Sequence, residues 1–364
     1  MESYPSHMRY DQRKDLLVIR VPEKAPTELP PSGKLEEGIA NVVQFGGVVL
    51  DPKQVPAPDQ ELLTDFLEKT FGIPAAPAIV GDAQAEQAAT KLQLSPQELL
   101  LGASLYRRRC QDCHGMNGDG RGPTGPWIHP HPRDYRQGVF KFVTTPGVSA
   151  RKARHADLVR TLTYGLPGTS MPSFGLLPEA ELSQIAHYVV YLSIRGRVEF
   201  QIIREILENP HEFDWESRPK EILNRQLSEW VGAEESVPVQ ITAYEVSTPQ
   251  HQESVRRGYE LFTKPNGAGC ISCHAQFGQD GKWQFDVWGT LVRPGNLIEA
   301  RRKGGKSVQD HYHRVTGGIG PSNMPALVGK SDQMAIDLAH FTASLPYPDQ
   351  LPPDIRAIVY PDGK

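Results

Sequence analysis

Two copies of the pattern Cys-x-x-Cys-His contain every cysteine of this chain. The first copy is CQDCH, with Cys110, Cys113 and His114, and the second is CISCH, with Cys270, Cys273 and His274. On a helix, the two cysteines of each copy lie three positions apart on one face, and the histidine lies one turn beyond the first cysteine. Two thiols and an imidazole can then meet one flat ligand. This is the attachment pattern of c-type haem.

Other uses of these cysteines are less consistent with the sequence. Four cysteines among 364 residues make a poor disulfide framework. Cys-x-x-Cys alone is also typical of half a zinc site or of a thioredoxin-like dithiol. A single four-cysteine zinc site built from both pairs remains an alternative, but it leaves both histidines and the similar flanking sequences unexplained. The sequence therefore predicts two covalently attached haem c groups, each with one iron.

A second axial ligand for each iron is suggested by a pair of matching segments. TYGLPGTSMP at 163–172 aligns without gaps on TGGIGPSNMP at 316–325, and both end in Met-Pro, at Met171 and Met324. A residue that precedes proline favours extended backbone. Such a backbone suits a thioether presented from a loop, so we predict these two methionines as iron ligands.

The repeat extends to the helices around each motif. GASLY at 102–106 matches GYELF at 258–262, upstream of the cysteines, and IAHYVVYLS at 185–193 matches LAHFTASLP at 338–346, at the end of each repeat. Between them, HPRDY at 131–135 loosely matches RPGNL at 293–297. Each repeat is therefore predicted to run helix, haem motif, Gly/Pro-rich loop, helix, Met-Pro loop, helix. The expected fold class is all-α.

Both repeats resemble class I cytochrome c domains, the small all-helical haem fold. The resemblance covers residues 95–196 and 252–348. It implies that His114 and His274 are the proximal iron ligands, with Met171 and Met324 distal. It also implies that the first and last helices of each domain cross at a small residue: Gly102 and Tyr106 on Tyr188 and Tyr191, and Gly258 and Phe262 on Phe341.

The resemblance also implies a carbonyl that orients the proximal histidine. In the Gly-rich loop after His114 the candidate is the carbonyl of Pro123, whereas the second loop has its first proline at Pro294, so the partner of His274 stays open. Arg133, Tyr135 and Arg293 are candidates to hold haem propionates, because an arginine fork matches a carboxylate. Ordinary surface charge is an equally good interpretation of these residues.

The other histidines near the repeats are less consistent with iron ligation than the two methionines. His155, His311 and His313 are interpreted as surface or propionate-binding groups. His187 and His340 occupy equivalent positions on the two closing helices, which suggests a shared packing role rather than iron ligation.

Outside the repeats the chain shows no chemical motif. Residues 1–94 are rich in proline, with one helical stretch near PDQELLTDFLEKTFG, and are predicted to be a largely irregular extension that wraps a domain or a neighbouring subunit. Residues 197–251 contain two amphipathic helical patterns and are predicted to be a structured connector between the two domains. Residues 349–364 are expected to form a C-terminal tail.

Composition excludes some classes of partner. A formal charge of −4 shows no basic surface for nucleic acid. No apolar run approaches the ~20 residues that span a bilayer. The first residues are polar and lack the apolar core of a signal peptide. Because the resemblance implies haem attachment outside the cytoplasmic membrane, we expect a periplasmic protein, or one on the outer membrane face, whose leader or anchor is not in this sequence.

Two His/Met irons leave no open coordination position for a substrate. We therefore expect an electron-transfer protein that passes single electrons between redox protein partners, as a subunit of a membrane-associated respiratory or other electron-transport complex. The alternative is a dihaem oxidoreductase, such as a peroxidase or a sulfur-compound dehydrogenase, with one haem open to substrate. The matching Met-Pro loops argue against it. A redox sensor would need a signalling domain, and the sequence shows none.

Overall fold

The computed structural model describes residues 3–24, 41–145, 152–264, 267–327, 329 and 331–361. Helices dominate this part of the chain, and its strands form three short antiparallel pairs. The predicted all-α fold class is confirmed. No helix among the described residues combines the length and the apolar character that crossing a membrane requires.

The helices are numbered along the chain. They are α1 (Ala57–Phe71), α2 (Ala83–Lys91), α3 (Pro96–Arg109), α4 (Gln111–His114), α5 (His155–Tyr164), α6 (Glu179–Glu208), α7 (Arg218–Glu235), α8 (Pro249–Thr263), α9 (Val308–Gly317), α10 (Asp332–Ser344) and α11 (Pro353–Val359). The strand pairs are β1 (Leu17–Arg20) with β2 (Val48–Leu50), β3 (Gly72–Ile73) with β4 (Ala76–Pro77), and β5 (Gln284–Phe285) with β6 (Leu291–Val292).

The chain divides into two compact units. Among the described residues, unit 1 contains 3–21, 41–140 and 152–236, and unit 2 contains 22–24, 141–145 and the residues from 237 onward. Each unit contains one Cys-x-x-Cys-His motif. Short polar caps begin the first helix of each repeat: the Ser95 side chain accepts from Glu98 N before α3, and the Thr248 side chain accepts from His251 N before α8.

In unit 1, helices α3 and α6 cross at a glycine. A Cβ atom at Gly102 would meet the carbonyl oxygen of Gln184 and lie 2.9 Å from Tyr188 Cβ, so only glycine allows this approach. The ring centroids of Tyr106 and Tyr188 are 5.3 Å apart. The predicted packing of Gly102 and Tyr106 on Tyr188 is confirmed. Tyr191 instead donates a hydrogen bond to the carbonyl oxygen of Phe71, at 2.5 Å.

In unit 2, helices α8 and α10 cross in the same way. A Cβ atom at Gly258 would meet the carbonyl oxygen of Asp337 and lie 2.7 Å from Phe341 Cβ. The ring centroids of Phe262 and Phe341 are 5.4 Å apart, in an edge-on arrangement. The crossing inferred for Gly258 and Phe262 on Phe341 is confirmed.

Several elements extend past the limits expected from the repeats. Helix α6 is continuous through Gly196, so the expected boundary between the first domain and the connector falls inside a helix. The cause is an unbroken buried face that includes Val198, Ile202 and Ile206. At the C-terminus, Ile355 and Val359 of α11 join the hydrophobic core around Phe341, so the expected tail contributes to the core of unit 2.

Residues 3–21 of the N-terminal extension pack on unit 1. Tyr4 and Leu17 are buried, and Tyr10 shares a 2.8 Å hydrogen bond with Tyr188 through their hydroxyl groups. Helix α1 is the expected helical stretch, whereas α2 lies where an irregular chain was expected. Asp82 signals its start, because its side chain accepts from Ala85 N at 2.9 Å.

Candidate functional site

The first attachment motif lies on a turn that joins two helices. Cys110 ends α3, where its N–H donates to the carbonyl oxygen of Tyr106 at 2.8 Å, and it begins the short helix α4. The N–H of His114 returns to the carbonyl oxygen of Cys110 at 2.9 Å. Both cysteines carry free thiols, and burial raises the pKa of Cys110 to about 12. The motif therefore has the helical geometry expected from its spacing.

The imidazole of His114 is held by one backbone carbonyl and one ring. Its Nδ1 atom lies 3.2 Å from the carbonyl oxygen of Arg133, and the ring of Tyr135 stacks on it at 4.7 Å between centroids. The prediction that the carbonyl of Pro123 orients His114 is therefore wrong. Instead, Gly122 and Thr124, on either side of Pro123, bond back to Cys113 and Asp112 through their N–H groups. These bonds hold the turn around Pro123 against helix α4, which carries Cys113.

Burial determines the protonation state of His114. Burial lowers the pKa of His114 to about 4, although the carbonyl of Arg133 opposes the shift. At neutral pH the ring is therefore neutral, with its proton on Nδ1, where the carbonyl accepts it. The hydrogen bond from Nδ1 to Arg133 leaves the other ring nitrogen, Nε2, unprotonated. Its lone pair is thus available to a metal ion.

The second attachment motif has the same backbone hydrogen bonds on a shorter turn. Residues Cys270–Ser272 form a single 3-10 turn, and His274 N donates to the carbonyl oxygen of Cys270 at 2.9 Å. Nδ1 of His274 lies 3.3 Å from the carbonyl oxygen of Gly295, and burial lowers the pKa of this histidine. The carbonyl that the sequence left open is therefore that of Gly295.

The two histidine partners occupy equivalent positions in the repeat. Arg133 follows proline in HPRDY, and Gly295 follows proline in RPGNL. The two segments align in the sequence, but the carbonyl expected to orient the first histidine was that of a proline and the partner of the second stayed open, so the role of Arg133 and Gly295 was not predicted. The useful signal was the register of the repeat, since a carbonyl acceptor does not depend on the side chain that carries it.

The two Met-Pro loops form the same turn. Leu166 N donates to Met171 O at 3.1 Å, and the equivalent Ile319 N donates to Met324 O at 3.1 Å. A hydroxyl two residues before each methionine then caps its N–H, from Thr169 at 3.1 Å and from the equivalent serine at 3.4 Å. Both methionine side chains are half-buried.

Glycines make these loops possible. Gly165 and Gly318 have φ of 64° and 66°, and a Cβ atom at either would lie 2.7 Å or 2.6 Å from the carbonyl oxygen of the following methionine. Few side chains tolerate this backbone region. The gapless alignment of the two segments thus corresponds to one shared backbone geometry.

Of the candidate propionate-binding residues, Arg293 uses its guanidinium for contacts within its own unit, and the propionate role of Arg133 and Tyr135 stays a prediction. The carbonyl of Arg133 and the ring of Tyr135 both face His114, as described above. Arg293 donates through Nε to the carbonyl oxygen of Gly281 at 2.9 Å and lies over the ring of Trp283 at 5.3 Å. These contacts fix the ligand loops themselves.

The competing histidines are engaged elsewhere. His155 and His187 stack at 4.2 Å between centroids, and His187 Nδ1 lies 3.1 Å from Glu98 Oε1. His340 accepts from Tyr244 N at 3.2 Å, consistent with a packing role on the closing helix. His311 and His313 are buried, which corrects the expectation of surface groups. Their helix, α9, turns this face inward, and His311 Nδ1 pairs with Thr342 Oγ1 at 2.8 Å.

The donor atoms within each unit fit c-type haem. Within the described ranges, no group of three or more His, Cys, Asp or Glu side chains is arranged to hold a metal ion. Each unit instead brings one neutral imidazole next to two free thiols, and contains one methionine on a structured loop. These are the residue types that c-type haem uses for attachment and axial ligation.

One known family matches part of unit 1, and one solved structure is similar to a larger share of the chain. Residues 97–189 match the family described as "Cytochrome C oxidase, cbb3-type, subunit III". A chain of the reducing HAO-like protein complex of Kuenenia stuttgartiensis is 24% identical at a TM-score of 0.49, over 67% of this chain and 95% of its own. The curated proteins contain no match. The match at residues 97–189 supports a c-type cytochrome domain in this part of the chain.

Proposed function

We propose that the chain is a dihaem c-type cytochrome that carries single electrons between redox proteins, with one haem attached in each unit. One observation carries this proposal: the ligand geometry of unit 1, which contains the matched cytochrome c domain, recurs in unit 2. Both histidines bond a carbonyl at the same position of the repeat, and both methionines lie on the same turn.

Each residue has a distinct part in this function. Cys110 and Cys113 hold the first haem through thioether bonds, and Cys270 and Cys273 hold the second. When bound, haem supplies reversible one-electron chemistry at its iron. The carbonyls of Arg133 and Gly295 keep the proton on Nδ1 of each histidine, so that the neutral Nε2 would be the atom that binds iron.

The methionines complete this arrangement. Met171 and Met324 are the proposed distal ligands, and a thioether in this position raises the reduction potential of a haem. An iron with both axial positions filled binds no substrate. This favours an electron carrier over a peroxidase or a sulfur-compound dehydrogenase.

The partners and the compartment are part of the proposal. We propose that the protein works in the periplasm or on the outer face of the cytoplasmic membrane, because haem c is attached there. Its partners are redox proteins, most simply the other subunits of an electron-transport complex that provides the membrane association. Co-purification from native membranes with haem staining tests this, and recovery of a lone chain would contradict the complex.

The haem number and ligation are tested on the full chain produced with a haem-attachment system. Intact mass should show two haem additions, and replacing both cysteines of either motif by alanine should remove one. The ferric methionine-to-iron charge-transfer band, quantified per haem, should account for both irons. A high-spin fraction that binds cyanide at once would overturn the carrier function and favour the open-haem enzyme.

A further inference from the structure

A buried ion pair joins the N-terminal extension to the loop that orients His114. The guanidinium of Arg136 is 3% exposed and forms a two-pronged contact with Asp15, from Nη1 and Nη2 to the two carboxylate oxygens at 2.9 Å each. Its Nε and Nη2 also donate to Asp134, at 3.0 Å and 2.9 Å. Arg136 is therefore held between a carboxylate of its own loop and one of the extension.

This ion pair lies three residues from the carbonyl that His114 uses. Arg133 O accepts from His114, Tyr135 stacks on its ring, and Tyr135 N bonds Gly118 O at 2.7 Å. Helix α6 closes the other side, because a Cβ atom at Gly196 would lie 2.6 Å from Arg136 Cα. The loop 133–136 thus lies between α6 and the extension, with little freedom to move.

The extension is itself anchored at several points. Arg13 N donates to Glu199 Oε1 at 2.8 Å, and the hydroxyl of Tyr10 bonds that of Tyr188. Glu199 and Tyr188 both lie on α6. The amide of Asn117, in the loop just after His114, donates to the carbonyl oxygen of Asp11 at 2.8 Å. Residues 10–15 therefore connect α6 to both sides of the His114 loop.

Unit 2 holds its equivalent loop by another means. Asp134 and Arg136 align with Asn296 and Ile298, and the two loops share one turn: the first side chain accepts from the N–H of the second, at 2.9 Å in unit 1 and 3.2 Å in unit 2. In unit 2, Arg302 donates to the carbonyls of this loop, including Asn296 O at 2.6 Å. In unit 2 the residue that holds the loop, Arg302, lies within the repeat. In unit 1 the equivalent role belongs to Asp15, which lies outside the repeat, in the N-terminal extension.

We propose that the N-terminal extension, through the Asp15–Arg136 pair, positions the Arg133 carbonyl and thereby tunes the proximal histidine of the first haem. This inference rests on the proposed role of His114 as an iron ligand. A firm Nδ1–H···O=C bond makes the imidazole a stronger donor and favours the oxidised iron. Asp15 and Arg136 are positioning residues, and loosening them raises the reduction potential of the first haem alone.

The test uses the full, haem-loaded chain. It compares one variant that keeps the charge of the ion pair, one that removes a negative charge from it, and a control that removes a negative charge elsewhere. Arg136→Lys keeps the charge but loses the two-pronged geometry, and Asp15→Asn removes one carboxylate. Asp65→Asn is the control, since Asp65 is exposed on α1 and pairs with Lys69 at 2.6 Å, on the same helix. Hydrogen exchange of the His114 Nδ1–H, followed by NMR in the reduced state, should accelerate at least about tenfold in Arg136→Lys and Asp15→Asn, because charge-assisted hydrogen bonds are lost.

A second readout separates geometry from charge. In Arg136→Lys the potential of one haem should rise, and the other haem serves as internal control. Unchanged exchange of the His114 Nδ1–H in both variants would overturn the proposal, and if Arg136→Lys does not fold, Asp15→Asn decides by the same measurement. A wild-type chain without haem on Cys110 and Cys113 would overturn the proposed function instead, which mass spectrometry detects first.

Discussion

The crossing of α3 and α6 predicts opposite effects for two identical substitutions. In Gly102→Ala the new methyl group meets the carbonyl oxygen of Gln184 and lies 2.9 Å from Tyr188 Cβ. In Gly232→Ala, on the helix α7, the methyl group has no neighbouring atom within 4 Å. Both glycines lie inside helices of unit 1, so the difference between the two variants reports the crossing itself.

The magnitude follows from the distances. Ordinary carbon–carbon contacts are about 3.5–4.0 Å, so the helices must separate by roughly 0.6 Å or more at Tyr188. Overpacking of this kind costs about 1–3 kcal/mol. Alanine recovers about 0.5–1 kcal/mol, because glycine loses more backbone entropy when it enters a helix. We expect Gly102→Ala to lower the free energy of unfolding by about 0.5–2 kcal/mol, and Gly232→Ala to raise it by about 0.5–1 kcal/mol.

Urea unfolding of the haem-loaded protein, followed by far-UV circular dichroism, measures both changes. The haem content of each variant should first be matched by mass spectrometry. If Gly102→Ala is as stable as the wild type, or is stabilised like Gly232→Ala, the helices do not meet at this glycine and the reasoning fails.

Three further predictions concern unit 2. Gly318→Ala should abolish the ferric methionine charge-transfer band of one haem, because φ of 66° with ψ of −168° is open to glycine almost alone and the Cβ would lie 2.6 Å from Met324 O. His340→Gln should flatten the pH dependence of stability. Burial lowers the pKa of His340 from 6.5 to about 4, so the unfolded chain binds the proton first and stability falls as pH drops from 6.5 to 4. From pH 7 to pH 5 this histidine contributes about 2 kcal/mol of that loss, which urea unfolding at the two pH values detects. Replacing Cys270 and Cys273 by alanine should lower the intact mass by one haem.

Each of these outcomes has a control. Gly232→Ala should leave the charge-transfer bands unchanged, so a loss there as well would point to general instability rather than to the Met324 loop. His340→Gln losing as much stability at pH 5 as the wild type would show that other groups bind the protons. A cysteine variant that keeps two haems would exclude Cys270 and Cys273 as attachment residues.

Local chemistry was readable from the sequence because it depends on short spacings. The attachment motifs and the Met-Pro loops each lie within about ten residues, where backbone geometry is determined by the residues themselves. The aligned repeat also contains the carbonyls that bond the two histidines, those of Arg133 and Gly295. They were not predicted, because neither residue is a proline. A backbone carbonyl has the same chemistry on any residue, so only the fold reveals which one is used.

The all-α class and the motif turns follow from the sequence, because spacing and residue size act over one or two turns of chain, whereas the helix crossing points were implied by the resemblance to class I cytochrome c domains. The tertiary structure decided which distant segments hold those turns. Asp15 meets Arg136 across more than a hundred residues, and α6 continues past the expected boundary at Gly196. Neither feature can be predicted from neighbouring residues alone. The partner of a buried charge or of an apolar helix face is determined by how the whole unit packs.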